Sequence, residues 1–290
     1  MRIPTLDEFL HAPLDEVRRV APATMILGTG GTRRRAVLEG ISPHSDTYTQ
    51  WTRQQMVQCI DLIFQHGVQH VFAAMLVRGH AQEITSGYRD KLIEWTAWGT
   101  AGPEAIADYR RLGWRVRLLG SESWPDLAPV ADQLRAETAQ ATGPTLWFTV
   151  VSQVEAAWAR ILRIAREQGI ESRRELVRAV YGEDIPPATL YLGSGKPQVD
   201  ESIVLPLLIG KLECYWRQNL GFDLDAPTLR TILYDYTYVR PTWRADKTGR
   251  AEQVLAYRAA WEEPPVIGLG QRLGPFWYPA PIPDPPPPEA

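Results

Sequence analysis

The sequence predicts one α/β domain built on a mainly parallel β-sheet. Short apolar runs rich in Val, Ile, Leu and aromatics recur along the chain, and longer runs of helical period separate them. The length of 290 residues, with no internal repeat and no evident linker, suits one large domain. Alternation of this kind implies strands joined by right-handed crossovers.

The expected strands are 24–27, 68–77, 114–119, 145–151, 189–192 and 266–269. Between them, residues 46–65 place Met56, Ile60, Ile63 and Phe64 on one helix side, and Gly67 stops the pattern. Helices are also expected over 83–98, 125–141 and 155–168, the last closed by Gly169. Ser172-Arg-Arg-Glu175 has the form of a capping box that opens another helix. Tyr234, Tyr236 and Tyr238 alternate around Asp235, which a strand with one aromatic face explains as core. Residues 1–278 form the expected domain. Residues 279–290 are Pro-rich and read as an extended, solvated tail.

Composition narrows the function. A hydrophobic fraction of 44% and a charged fraction of 22% are ordinary for a globular enzyme, and a net charge of -3 argues against a general nucleic-acid binder. No run is apolar and long enough to span a bilayer, and residues 1–10 lack the apolar segment of a signal peptide. The two cysteines, Cys59 and Cys214, show neither a disulfide framework nor a zinc spacing, read as buried small hydrophobes, and fit a reducing cytoplasm. His66 and His70 straddle a helix end and do not form a metal pair. The 11 Trp and 11 Tyr supply core bulk, or line a pocket for an apolar or cationic guest.

Chemistry concentrates after the first strand, in Gly28-Thr-Gly-Gly-Thr-Arg-Arg-Arg35. Glycines here permit positive φ and close ligand approach, and free N–H groups of such a turn make an anion site. Arg33, Arg34 and Arg35 add charge and bidentate donors suited to phosphate oxygens. The turn is neither a dinucleotide fingerprint, because Arg33 replaces the third glycine, nor a Walker loop. Alone it reads as a structural turn before a solvated basic patch. Its place at the carboxyl end of the first strand favours anion binding.

These residues resemble the opening of cis-prenyltransferases, and within that superfamily the diterpene synthase branch of tuberculosinol and kolavelool synthases. The likeness extends over nearly the whole chain. Gly31-Thr-Arg-Arg34, Asp46-Thr-Tyr48, Phe64-Gln-His-Gly-Val68, the run 228–240, Ile267-Gly-Leu-Gly270 and Phe276-Trp-Tyr278 carry it, and the run 228–240 is the most specific. The resemblance implies a twisted parallel sheet surrounded by helices, a hydrophobic tunnel for an isoprenoid chain, and a homodimer. It also implies a prenyl diphosphate held by Gly28, Gly30, Gly31, Thr32, Arg33, Arg34 and Arg35. Loss of diphosphate would leave an allylic carbocation for water to capture or for proton loss to quench.

By pattern alone Tyr48 is a packed helix residue; the resemblance gives its phenol a catalytic role in proton or water chemistry. Trp95 and Trp98, one helical turn apart, are core or tunnel wall, and Tyr236 is core or pocket wall. His80, with Glu83 nearby, sits just past the second strand as a solvated loop residue or a base.

The departures from the family pattern matter. Gly30 stands where relatives place the Asp that serves magnesium and diphosphate departure, so Mg2+ becomes an open cofactor and no metal ligand is assigned. Where relatives place an Asp pair, the chain reads Val77-Arg-Gly-His80. Leu192-Gly-Ser-Gly-Lys196 lacks the arginine that binds isopentenyl diphosphate, which disfavours chain elongation. Either Arg33, Arg34 and Arg78 stabilise the leaving diphosphate, or catalysis is lost and the chain is a non-catalytic partner of a cis-prenyltransferase. Prenyl transfer to a non-isoprenoid acceptor is a third reading. Asp-Asp-x-x-Asp, Asp-x-Asp-Asp and Gly-x-Ser-x-Gly are all absent.

Overall fold

The computed structural model describes residues 2–82, 84, 87–199, 201–203, 206–243, 245–262 and 270–278. The tail 279–290 and the expected strand 266–269 lie outside the described residues, as does Glu83. Six strands form one parallel sheet: β1 (Thr24–Gly28), β2 (His70–Leu76), β3 (Arg115–Leu119), β4 (Thr145–Val150), β5 (Ala188–Ser194) and β6 (Ile209–Arg217). Their order is β3-β4-β2-β1-β5-β6, which places β1 between β2 and β5 with covered edges. A hairpin of β7 (Gln271–Leu273) and β8 (Phe276–Tyr278) stands apart from that sheet.

The helices are α1 (Leu6–Leu10), α2 (Leu14–Arg18), α3 (Thr32–Leu38), α4 (Asp46–Gln65), α5 (Arg78–Ala81), α6 (Tyr88–Ala101), α7 (Pro103–Leu112), α8 (Ala128–Glu137), α9 (Val154–Gln168), α10 (Arg173–Tyr181), α11 (Ala226–Tyr234) and α12 (Arg258–Glu262). Alternate residues of each central strand serve opposite faces. Met25 and Leu27 pack with Ile60 and Ile63 of α4, Ile106 of α7, Leu134 of α8 and Leu233 of α11. Ile26, Phe72, Trp147 and Tyr191 pack on the other face, with Val177 of α10 and Val154 of α9. Trp114, Trp124 and Trp147 are fully buried. Much of the aromatic surplus is therefore core, where truncating one such ring costs about 3–5 kcal/mol.

Several expectations change. The alternating tyrosines are not a strand: α11 runs on into a π-helical turn, Asp235–Val239. Tyr234 at the end of α11 and Tyr238 in that turn pack on Phe9 of α1, with ring centroids 5.8 and 5.9 Å away. Tyr234 and Tyr238, four residues apart, share one helical side, whereas Tyr236 between them reaches Thr189, so the period of two is one of residue type and not of a common face. The helix expected over 83–98 begins at Tyr88, after the left-handed Gly87, and runs on to Ala101. Ser172 caps α10 by accepting from the Glu175 N–H, while its hydroxyl donates to the Glu175 carboxylate at 2.7 Å. No helix among the described residues is long and apolar enough to cross a membrane.

Candidate active site

The turn between β1 and α3 sits where the carboxyl ends of two neighbouring strands, β1 and β5, lie side by side. Gly28 pairs in register with Gly193. A methyl group on Gly28 would run into the Tyr191 hydroxyl, so the position admits no side chain. Gly31 caps α3 at φ +82°, a left-handed conformation that favours glycine. Gly30 differs from both. Its nearest neighbour to an added Cβ is the Ser194 carbonyl at 3.5 Å, an ordinary contact. Sterics therefore do not explain the missing acid. The Gly30 N–H donates to Ser194 Oγ at 2.9 Å, and that hydroxyl donates back to the Gly30 carbonyl at 2.9 Å. The first-turn amides of α3, beginning at Thr32, have no acceptors inside the helix.

The three arginines separate. Arg35 is held by Glu39 at 2.6 Å and Asp223 at 3.4 Å, which turns it away from the anion role expected of it. Arg33 lies over the Tyr88 ring at 5.0 Å, and Arg34 over the Phe276 ring at 5.0 Å. Neither has a carboxylate within ion-pair reach among the described residues. Burial, then the neighbouring Arg33 charge, pushes the pKa of Arg34 below the ordinary guanidinium value. Two crowded cations of this kind gain most from an anion placed between them.

An aromatic wall joins the turn. Tyr48, in the first turn of α4 and buried, has its hydroxyl 3.0 Å from Thr32 Oγ1. Trp95 of α6 meets Tyr48 edge to face at 5.8 Å and Tyr88 at 6.3 Å. Thr32, Tyr48, Trp95, Tyr88 and Arg33 thus form one continuous arc of ring faces and hydroxyls beside the anion cradle. Ring faces of this kind stabilise cationic carbon. The β7–β8 hairpin closes the other side: Phe276 covers Arg34, Trp277 lies 5.7 Å from Lys196 Nζ, and the Tyr278 hydroxyl donates to Gln218 at 3.1 Å.

Other expected residues stand on other elements. Arg78 and His80 belong to α5, after β2 at the same end of the sheet, where His80 Nδ1 accepts from the Val77 N–H at 3.1 Å. Tyr236 is at the opposite end: its hydroxyl bonds Thr189 at the start of β5, at 2.6 Å, which separates it from the turn. A cavity of about 390 Å³ lies between β6 and α11, lined by Tyr215, Trp216, Arg217 and Ile232 rather than by the aromatic arc. Sequence reasoning missed Ser194 as the clamp of the turn; its only signal was a small hydroxyl at a strand end. It also missed β6, whose Lys211 and Glu213 break the apolar run.

The residues present do not fit a protein-held Mg2+. That ion takes carboxylates together with substrate phosphates. The carboxylates beside the turn, Glu39 and Asp223, are both engaged by Arg35, and no cluster of three acidic, His or Cys ligands occurs among the described residues.

The chain is similar to the (+)-kolavelool synthase of Herpetosiphon aurantiacus, with 45% identity across 95% of this chain and 96% of the relative. It belongs to the kolavelool synthase family. The Mycobacterium tuberculosis tuberculosinyl adenosine transferase is a more distant relative, 24% identical over 96% of the chain and 99% of the relative. Lavandulyl diphosphate synthase from Lavandula x intermedia, solved with dimethylallyl diphosphate, superposes with a TM-score of 0.62 at 14% identity, covering 78% of this chain and 98% of that one. A probable undecaprenyl diphosphate synthase from Campylobacter jejuni gives 0.57 at 14% identity, covering 76% and 97%. The chain thus has the cis-prenyltransferase fold, with the β1–α3 turn at the carboxyl ends of β1 and β5. No family model matches the sequence.

Proposed function

We propose that the chain ionises a prenyl diphosphate of C20 size, linear or bicyclic. The C–O bond breaks and diphosphate leaves with the electron pair. Water then adds to the allylic cation and loses a proton, giving an alcohol; loss of a proton without water gives an alkene. The observation that carries this reading is the pairing of two ring-backed cations, Arg33 and Arg34, with the Tyr48–Trp95–Tyr88 arc. One side suits the departing diphosphate and the other the cation it leaves. The Thr32–Tyr48 hydroxyl pair is placed to orient water or pass a proton. Mg2+, where it takes part, enters with the diphosphate rather than on protein carboxylates. A homodimer in the cytoplasm completes the reading, and the exposed Trp158 and Leu162 of α9 offer a second copy an apolar surface.

The test is incubation with geranylgeranyl diphosphate and its bicyclic isomers, with and without adenosine, following diphosphate release and product mass. Release with a C20 alcohol or alkene is expected. An adenosine adduct would move the chain to transferase chemistry. No release from any C10–C20 prenyl diphosphate would favour a non-catalytic partner subunit.

A further inference from the structure

Arg217 closes β6 and is 8% exposed, yet it lies within ion-pair reach of no carboxylate among the described residues. Its two terminal nitrogens donate to backbone carbonyls of the loop that follows: Nη1 to Asp223 O, and Nη2 to Gly221 O at 3.3 Å. Its Nε is buried without a hydrogen-bond partner. The carboxylates that act on it from farther off are Asp223, already turned to Arg35, and Asp225, which caps α11. A buried guanidinium held this way is costly unless its fork fixes something.

What it fixes is the back of the anion turn. The Gly221 N–H donates to the Gly30 carbonyl at 2.8 Å. Gly221 adopts φ +66°, and a Cβ there would stand 3.2 Å from Thr32 Cγ2 and 3.3 Å from Thr32 Cα. Leu220 presses against Gly31 in the same way, at 2.9 Å from an added Cβ. A second route converges on the same residue. Ser194, which clamps Gly30 from both sides of its peptide, pairs in register with Arg217, and the Gly195 N–H donates to the Arg217 carbonyl at 3.4 Å. One support of Gly30 thus ends at the Arg217 side chain and the other at its main chain, and Thr32, on which the Gly221 loop presses, carries the hydroxyl that meets Tyr48.

We propose that Arg217 is the positioning residue of the diphosphate turn: through the loop of Gly221 its side chain sets Gly30 and Thr32, and through Thr32 it sets the Tyr48 hydroxyl. It touches no substrate atom. The role rests on the proposed diphosphate chemistry of the turn. Lysine retains the charge but cannot span two carbonyls with a rigid fork.

The test measures inorganic diphosphate binding by calorimetry alongside turnover of geranylgeranyl diphosphate or a bicyclic isomer. Arg217→Lys is expected to weaken diphosphate binding about tenfold and to lower kcat about 10- to 100-fold, the scale of a misplaced catalytic group. Combined with Thr32→Val, the double variant is expected to lose no more than the worse single one, because both act along one line of contact. Multiplying losses would overturn the proposal. So would an Arg217→Lys protein with a lower Tm but wild-type diphosphate affinity and kcat, since that is the mark of a purely structural arginine. If Arg217→Lys fails to fold, Gly221→Ala displaces Thr32 with Arg217 intact, and unchanged affinity there overturns the proposal equally. Wild-type protein that binds inorganic diphosphate but turns over no prenyl diphosphate defeats the proposed function alone, and the affinities still decide Arg217. Wild-type protein that binds no diphosphate defeats both.

Discussion

Tyr48 is the residue to which the proposed reaction assigns the proton or water step. It is buried, its ring is fixed by Trp95, and its hydroxyl is committed to Thr32. Tyr48→Phe keeps the ring and removes the hydroxyl. The expected result is a fall in kcat of about 10²-fold with KM nearly unchanged, read from steady-state diphosphate release. An equal rise in KM would mean that the phenol only holds substrate. The turn glycines were legible because Gly and Arg after an apolar strand is a local signal. Their different reasons were not. Gly28 is glycine because of Tyr191, 163 positions away, whereas Gly30 has room for a side chain. Arg217 was invisible for the same cause: nothing near it in sequence marks a residue whose partners are backbone carbonyls braced against Gly30.

At the scale of elements, the central strands and α4 read correctly because burial on both faces, or a clean helical period, leaves an unmistakable pattern. Edge strand β6 did not, since half of it faces outward and carries Lys211 and Glu213. The Asp235–Val239 turn failed because its tyrosines obey a period that belongs to strands. The β7–β8 hairpin offered matching residues in sequence, but only the folded chain shows Phe276 lying on Arg34. A cation–π contact at a partly exposed site is worth about 0.5–1 kcal/mol. Phe276→Ala should therefore raise KM for a prenyl diphosphate about two- to fivefold, with Tm close to wild type. A variant with unaltered KM would reduce the hairpin to packing.

Across the whole molecule, the α/β alternation announced a parallel sheet, while the strand order that puts β1 beside both β2 and β5 came only with tertiary structure. The stability of that assembly should depend on pH through His66 and His70, both held below the ordinary imidazole range chiefly by burial. His66 Nε2 accepts from Arg230, and His70 Nδ1 accepts from the Trp147 indole, so each is bonded in its neutral form. The unfolded chain then takes up protons first as pH falls. Stability is complete above the unfolded value of about 6.5 and declines as pH drops below it toward the lower folded pKa values. Thermal melts at pH 7.5 and 5.5 should show a lower Tm in acid, and His70→Gln should lessen the difference; an equal or higher Tm in acid would contradict the assignment. The hairpin over Arg34 adds a consequence in time. Residues 28–35 leave the ribosome long before Phe276 does, and at ribosomal speeds the interval is on the order of ten seconds or more. For that interval the Arg34 guanidinium lacks the ring that covers it in the folded chain, and the turn waits as well for its braces at Ser194 and Gly221.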